Sequence, residues 1–398
     1  MFTKPPLSDR LIQGNFRTRR TTMRKFTSML IVTMVAMIAL VACSSDKGES
    51  GSTTGTDNVN FKVGMMIDSG TIDDKSFNQG TWEGIKRYES ENGTIEAQYI
   101  KPGGEATQDY LEAADNLLAK GNELIIAPGF KFEEAIGKLQ AENPETKFVI
   151  LDGEPEGGVA DNSVGIYFAE QEAGFLAGIA AALETKTGKV GFIGGMVIPA
   201  VQKFGYGFVT GVAYANANLG TNVEVADYLY NGTFHDVSGG QAQASGMYDK
   251  GIDIIFVAAG GVGNGVIAEG KVRAEAGDDV YVIGVDVDQY EDGIISDGSS
   301  VILTSAIKRI DNAAYDKIDE LVNGTFTGGQ VITMDAKNDG VGLPAENPNL
   351  SEATQQAADE AFELIKNGTI VVPTELDEVT AMLEELGFDA SHLNLSGN

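Results

Sequence analysis

The sequence predicts an α/β protein of two lobes, each built on a doubly wound parallel sheet, with a ligand cleft between them. Two observations predict it. Short β-branched runs alternate with helical patterns along most of the chain, which implies parallel strands joined by crossover helices. The runs are near-continuously apolar, as strands must be when helices cover both sheet faces. The alternation occurs twice, as two successive series of five strands. The likeness between the series is one of pattern, without a residue-level repeat.

The first series contains "FKVGMMI" (61–67), "EAQYI" (96–100), "ELIIAP" (123–128), "KFVILD" (147–152) and "SVGIYF" (163–168). Helical periodicity falls between them, near 77–91, 107–120 and 131–142. The second series contains "KVGFIGG" (189–195), "VEVADYLY" (223–230), "IDIIFVAAG" (252–260), "VYVIGVD" (280–286) and "SVILTSA" (300–306). Its helices are expected near 170–185, 200–217, 238–249, 264–275 and 308–323. Beyond residue 324 the pattern loosens. "GGQVITMDAKNDGVGLP" (328–344) reads as a small hairpin or extended excursion, and helical patterns near 352–366 and 375–387 follow. The first lobe is expected over 59–168 plus about 303–345. The second is expected over 169–302 plus about 346–398.

The N-terminal segment has a different character. Arg24 and Lys25 precede the apolar run "MLIVTMVAMIALVA" (29–42), which is short for a membrane span and suited to a signal-peptide core. It ends at Cys43, the only cysteine of the chain. "LVAC" resembles a lipoprotein lipobox, so residues 1–42 are expected to be removed and Cys43 to carry lipid. Met23 is an alternative start. Residues 44–58, "SSDKGESGSTTGTDN", form a Ser/Gly/Thr-rich tether after it. With no other cysteine, disulfides, cysteine metal sites and a cysteine nucleophile are excluded.

Formal net charge is −30, and the chain processed at Cys43 carries about −36, because residues 1–42 hold seven Lys/Arg against one Asp. So acidic a surface repels phosphate backbones, and nucleic acid is not an expected partner. After Cys43 only Arg87, Arg273 and Arg309 remain. Pockets for free carboxylates and phosphates favour bidentate arginine, so a neutral ligand is expected. Lys308 and Arg309, after the tenth strand, are the cations to watch.

Ligands of parallel sheets bind beyond the strands' carboxyl ends. The residues there are Asp68, Pro128, Asp152, Gly194, Gly260 and Asp286. A carboxylate at such a position suits vicinal hydroxyls or cationic donors, although turn formation or helix capping explains any single one. "IDDKSFNQGTWEG" (72–84) opens the first helix. Ser76 and Gln79 have capping-box spacing, and Trp82, Ile85 and Tyr88 give the buried stripe. Phe77 and Asn78 then fall in the first turn and face the cleft, either as ligand contacts or as a staple-like packing residue and a second cap. Asp73 and Asp74, adjacent in sequence, are expected to diverge or cap.

"GGVGNGVIA" (260–268) contains G-x-G-x-x-A, with Asp286 about twenty residues on. It lies in the middle of the second series rather than at its first βα turn, and fifty glycines make chance matches common. A Gly-rich turn that lets the backbone approach a ligand is the preferred reading. His235 and His392 have no metal spacing, and no P-loop or nucleophile elbow is present. No enzyme activity, cofactor or metal is expected.

Four stretches, "DDKSFNQGTWEGI" (73–85), "DNSVGIYFAEQEAGFLAGIAAALETKTGKVGFIGGM" (161–196), "FGYGFVTGV" (204–212) and "GVDVDQ" (284–289), resemble the basic membrane protein family. These are lipoproteins of the purine-nucleoside-receptor type, the substrate-binding components of ABC importers. The likeness covers residues 60–345. It implies the type I periplasmic-binding-protein fold, with three crossovers between lobes. It also implies that Phe77 and Phe204 stack on a purine base, that Asn78 hydrogen-bonds its edge, and that Asp286 holds ribose hydroxyls with Lys308 near by. Asp68, Asp152 and Gly261 are further implied contacts. The implied partners are a nucleoside, an ABC permease with its ATPase, and the membrane through Cys43; a monomer is expected. A sugar or autoinducer-type binding protein on the same fold, or an adhesin or regulator using it as a scaffold, are the alternatives.

Overall fold

The computed structural model describes residues 61–397. The expected signal peptide, the lipid at Cys43 and the tether lie outside the described residues.

The first sheet contains β1 (Phe61–Met66), β2 (Ile95–Ile100), β3 (Leu124–Pro128), β4 (Lys147–Leu151), β5 (Ser163–Phe168) and β11 (Gln330–Met334), in the order β11-β5-β4-β3-β1-β2. The second contains β6 (Lys189–Gly194), β7 (Glu224–Tyr230), β8 (Ile254–Ala258), β9 (Tyr281–Asp286), β10 (Ile302–Lys308) and β12 (Val341–Gly342), in the order β12-β10-β9-β8-β6-β7. All pairings are parallel except β12 against β10. The central strands β3, β8 and β10 are buried throughout, whereas the edge strand β2 alternates. In each sheet the strand order reverses beside the first strand, next to β1 and next to β6. Such a switch point opens a crevice at the carboxyl end of the sheet.

Helices α1 (Phe77–Asn92), α2 (Thr107–Ala119), α3 (Glu133–Glu142) and α8 (Ile310–Val322) accompany the first sheet. Helices α4 (Glu170–Glu184), α5 (Pro199–Asn218), α6 (Val237–Asp249) and α7 (Gly261–Ala276) accompany the second. The chain passes between lobes three times: from β5 to α4, from β10 to α8, and from β11 to β12. The expected return to the first lobe near 303 is corrected. β10 is buried between β9 and β12 in the second sheet, and only α8 and β11 go back. Of the two readings of 328–344, the hairpin is excluded, because β11 and β12 pair in different sheets, and the segment is an extended excursion between lobes. The last helices, α9 (Glu352–Lys366) and α10 (Leu376–Leu386), pack on α4 and α5. Among the described residues no helix is long and apolar enough to cross a membrane.

The α4–α5 contact sets the position of Phe204. A Cβ on Gly174 would lie 2.3 Å from the Phe204 carbonyl oxygen, and one on Gly207 would lie 2.1 Å from that of Gln171. The helices touch backbone to backbone, which only glycine permits. The Gly-rich turn toward a ligand expected at the G-x-G-x-x-A segment is corrected: Gly263 and Gly265 lie inside α7 and off the wall of the interlobe cavity. A Cβ on Gly265 would lie 1.9 Å from the Val237 carbonyl oxygen, so this glycine lets α7 pack closely on α6.

Candidate ligand-binding site

A cavity of about 350 Å³ lies between the lobes at the carboxyl ends of both sheets. That is the lower end of the 300–1,000 Å³ range usual for small-molecule sites. Of the residues expected here, Asp68, Phe77, Asn78, Asp152, Phe204, Asp286 and Lys308 line it. Gly261 does not; its neighbour Gly260 does, because Gly261 begins α7 and packs against the Phe234 carbonyl oxygen. Pro128 and Gly194 are also off the wall, although Gly129 is on it.

The start of α1 is built differently from the capping box expected for Ser76 and Gln79. Asp74 caps the helix: its carboxylate accepts from the backbone N–H of Ser76 at 2.9 Å, Asn78 at 3.0 Å and Gln79 at 3.0 Å. This leaves the Ser76 hydroxyl free to cross the cleft and donate to Asp286 Oδ2. The neighbouring carbonyls also bind the second lobe. Gln289 Nε2 donates to Lys75 O at 2.8 Å, and Asn264 Nδ2 donates to Asp74 O at 3.3 Å. The turn 74–76 therefore draws the lobes together at one edge of the cavity. On the buried side of α1, Ile85 and Tyr88 are in the core, while Trp82 is half-buried and meets Tyr99 edge-on at 5.2 Å.

Asn78 is 1 % exposed and its amide is occupied within the protein. Nδ2 donates to Asp68 Oδ1 at 3.1 Å and Asp74 Oδ2 at 2.9 Å, and Oδ1 accepts from the Asp68 N–H at 3.4 Å. In this arrangement Asn78 orients Asp68. Burial raises Asp68 from 3.8 to about 7, against the lowering effect of its bond to Asn78. The folded protein thus keeps a proton on Asp68 at pH values where the unfolded chain has released it. Between about pH 4 and 7, then, the contribution of Asp68 to stability falls as pH rises, by up to ~1.4 kcal/mol per pH unit. The ligand-free protein is expected to melt at higher temperature at pH 5 than at pH 8. Asp68→Asn should reduce that slope, leaving the part that comes from Asp152 and Asp286, which burial also raises; an unchanged slope would refute the assignment to Asp68.

Asp152 and Asp286 share an unusual backbone. Both have left-handed φ, 58° and 67°, as does Lys75 at 62°. Non-glycine residues in this region concentrate at functional sites. The two carboxylates approach Lys308 from opposite lobes, and Asp152 forms an ion pair with it. Lys308 Nζ also lies 3.1 Å from Glu170 Oε1, with both side chains 2 % exposed, and 4.8 Å from the centroid of the Phe77 ring. Burial opposes the lysine charge, but Asp152, Glu170 and Asp286 outweigh it and hold Lys308 above the usual lysine range. Burial raises Asp152 and Asp286, and Lys308 pulls both back. Asp152 Oδ1 is buried without a hydrogen-bond partner, which leaves an acceptor for a bound hydroxyl.

The sequence reading missed Glu170, Lys203, Phe130, Tyr167 and Phe234, all on the wall. Phe130 follows the end of β3, Tyr167 lies within the last turn of β5, and Phe234 follows β7, so the strand-end rule extended by a few residues would have found them. Glu170 heads a helix buried on nearly every side, an unusual place for an acid. The complete wall holds five aromatic rings, six carboxylates, two lysines and no arginine. Among the described residues no group of three His, Cys, Asp or Glu is placed to hold a metal.

Two lobes of identical strand order, three connections and an interlobe cavity at the strand ends define the type I periplasmic-binding-protein fold. A profile of the family described as "ABC transporter substrate-binding protein PnrA-like" (Bmp) matches residues 61–375. The chain is 36% identical over 365 residues to a CD4+ T-cell-stimulating antigen of Listeria innocua, covering 89% of this chain and 99% of that one. It is 33% identical to the ABC transporter nucleoside-binding protein BmpA of Lactococcus lactis, covering 82% and 93% of the two chains. Basic membrane protein D of Borreliella burgdorferi is 34% identical, with 83% and 90% covered. The crystal structure of an ABC transporter solute-binding protein from Aeropyrum pernix K1 superposes with a TM-score of 0.70 at 28% identity, covering 82% of this chain and 97% of that one. The chain belongs to the Bmp family of PnrA-like ABC transporter substrate-binding proteins.

Proposed function

We propose that this protein binds a purine nucleoside in the interlobe cavity and delivers it to an ABC permease and its ATPase, without enzymatic conversion. The chain acts as a monomer outside the cytoplasm, held to the membrane by lipid on Cys43. The observation that carries the reading is the composition of the wall. Aromatic rings suit a planar heterocycle, and carboxylates suit the hydroxyls of a ribose. The excess of acids over lysines opposes a phosphate. Phe77 and Phe204 are the rings assigned to the base. Asp286 and Asp152 are assigned to the sugar, with Lys308 between them. Asp68, oriented by Asn78, is the polar group left for the base edge. The nucleoside-binding relative from Lactococcus lactis supports the same ligand class.

Calorimetry with a panel of nucleosides, free bases, pentoses and nucleotides tests this reading. A purine nucleoside should bind well below millimolar, with bases and pentoses at least about a hundredfold weaker. Absence of any nucleoside binding below millimolar overturns it. A pentose that binds as tightly as the nucleoside would instead identify a sugar receptor.

A further inference from the structure

Both lysines on the cavity wall share one counter-ion. Glu170 Oε1 lies 3.1 Å from Lys308 Nζ, and Glu170 Oε2, buried and without a hydrogen bond, lies 3.5 Å from Lys203 Nζ, an ion pair only. Glu170 is 1 % exposed and heads α4, Lys203 is on α5, and Lys308 ends β10. All three belong to the second lobe, so their separation does not depend on the position of the first. Of the other carboxylates around Lys308, Asp286 ends β9 in the second lobe, whereas Asp152 follows β4 in the first lobe and reaches it across the cleft.

Building on the proposed nucleoside reading, we infer that Glu170 is a specificity-determining residue that excludes anionic ligands. Lysine binds phosphate as a point charge, and a cavity with two unpaired ammonium groups would accept a nucleotide. When the lobes separate, Lys308 loses Asp152 but keeps Glu170, and Lys203 keeps it as well. An entering ligand therefore meets no free cation at the stage when the site is open. An anion that pairs with either lysine is brought up against the buried Glu170 carboxylate and must compete with it for the ammonium, at the cost of like-charge repulsion in a poorly solvated site. Selectivity arises from a penalty on the wrong ligand, and the neutral nucleoside escapes that penalty.

The test compares a purine nucleoside with its 5′-monophosphate by calorimetry on the purified protein, Glu170→Gln and Asp152→Asn, with thermal unfolding as the check on folding. The native protein should prefer the nucleoside by at least about a hundredfold. Glu170→Gln keeps the side-chain shape and removes the charge, and should narrow that preference by about tenfold or more. Asp152→Asn should weaken the nucleoside yet leave the preference within about threefold of native, because Glu170 still holds both lysines. A folded Glu170→Gln with the native preference overturns the inference. So does an Asp152→Asn protein that loses the preference, which keeps the inference open to refutation if Glu170→Gln does not fold. A native protein that binds no nucleoside refutes the proposed function itself, and the inference falls with it.

Discussion

Replacing Lys308 with Met is expected to lower the free energy of unfolding by about 3–5 kcal/mol. Lys308 is 2 % exposed and lies among Asp152, Glu170 and Asp286. Methionine fills similar volume, so the loss comes from buried carboxylates left without their cation rather than from a void. Urea unfolding at pH 8 measures it. The deficit should shrink at pH 5, because carboxylates raised by burial take up protons and no longer need a counter-charge. Adding Glu170→Gln to Lys308→Met should recover part of the loss, since it removes one of the stranded charges. A single variant destabilised by less than about 1 kcal/mol would show that the cluster is solvated and that its electrostatics are weak.

The second large effect is expected at Asp286. Asp286→Ala should weaken nucleoside binding by about a hundredfold or more, corresponding to about 3 kcal/mol. Two losses combine. The carboxylate is the assigned acceptor for ribose hydroxyls, and it also accepts the Ser76 hydroxyl from the opposite lobe. A deoxynucleoside separates them. On the native protein it should bind more weakly than the ribonucleoside, whereas on Asp286→Ala the two should bind alike, with the residual loss reporting the missing interlobe bond. If the two sugars still differ by the native ratio on Asp286→Ala, the hydroxyls are held elsewhere and the assignment is wrong.

The sequence by itself determined the two series of strands, because apolar runs covered on both faces admit little besides parallel sheets with crossover helices. It also placed Asp68, Asp152 and Asp286 beside the cavity, since they end strands that point at it, although the same rule failed for Pro128 and Gly194. Tertiary structure decided the rest. Ser76 and Gln79 satisfy a local capping pattern, yet Asp74 takes that role and Ser76 turns to an acceptor 210 residues away. Local spacing cannot reveal that competition, because the rival partner is supplied by the other lobe. Asn78 lines the cavity as expected, but its amide donors are taken up within its own lobe, by the buried carboxylates of Asp68 and Asp74, so in this arrangement it supports Asp68. Glu170, Lys203 and Lys308 lie on α4, α5 and β10, far apart in the chain, and become one charge cluster only when those elements pack. Burial then makes the cluster matter, by stripping the water that would otherwise screen it.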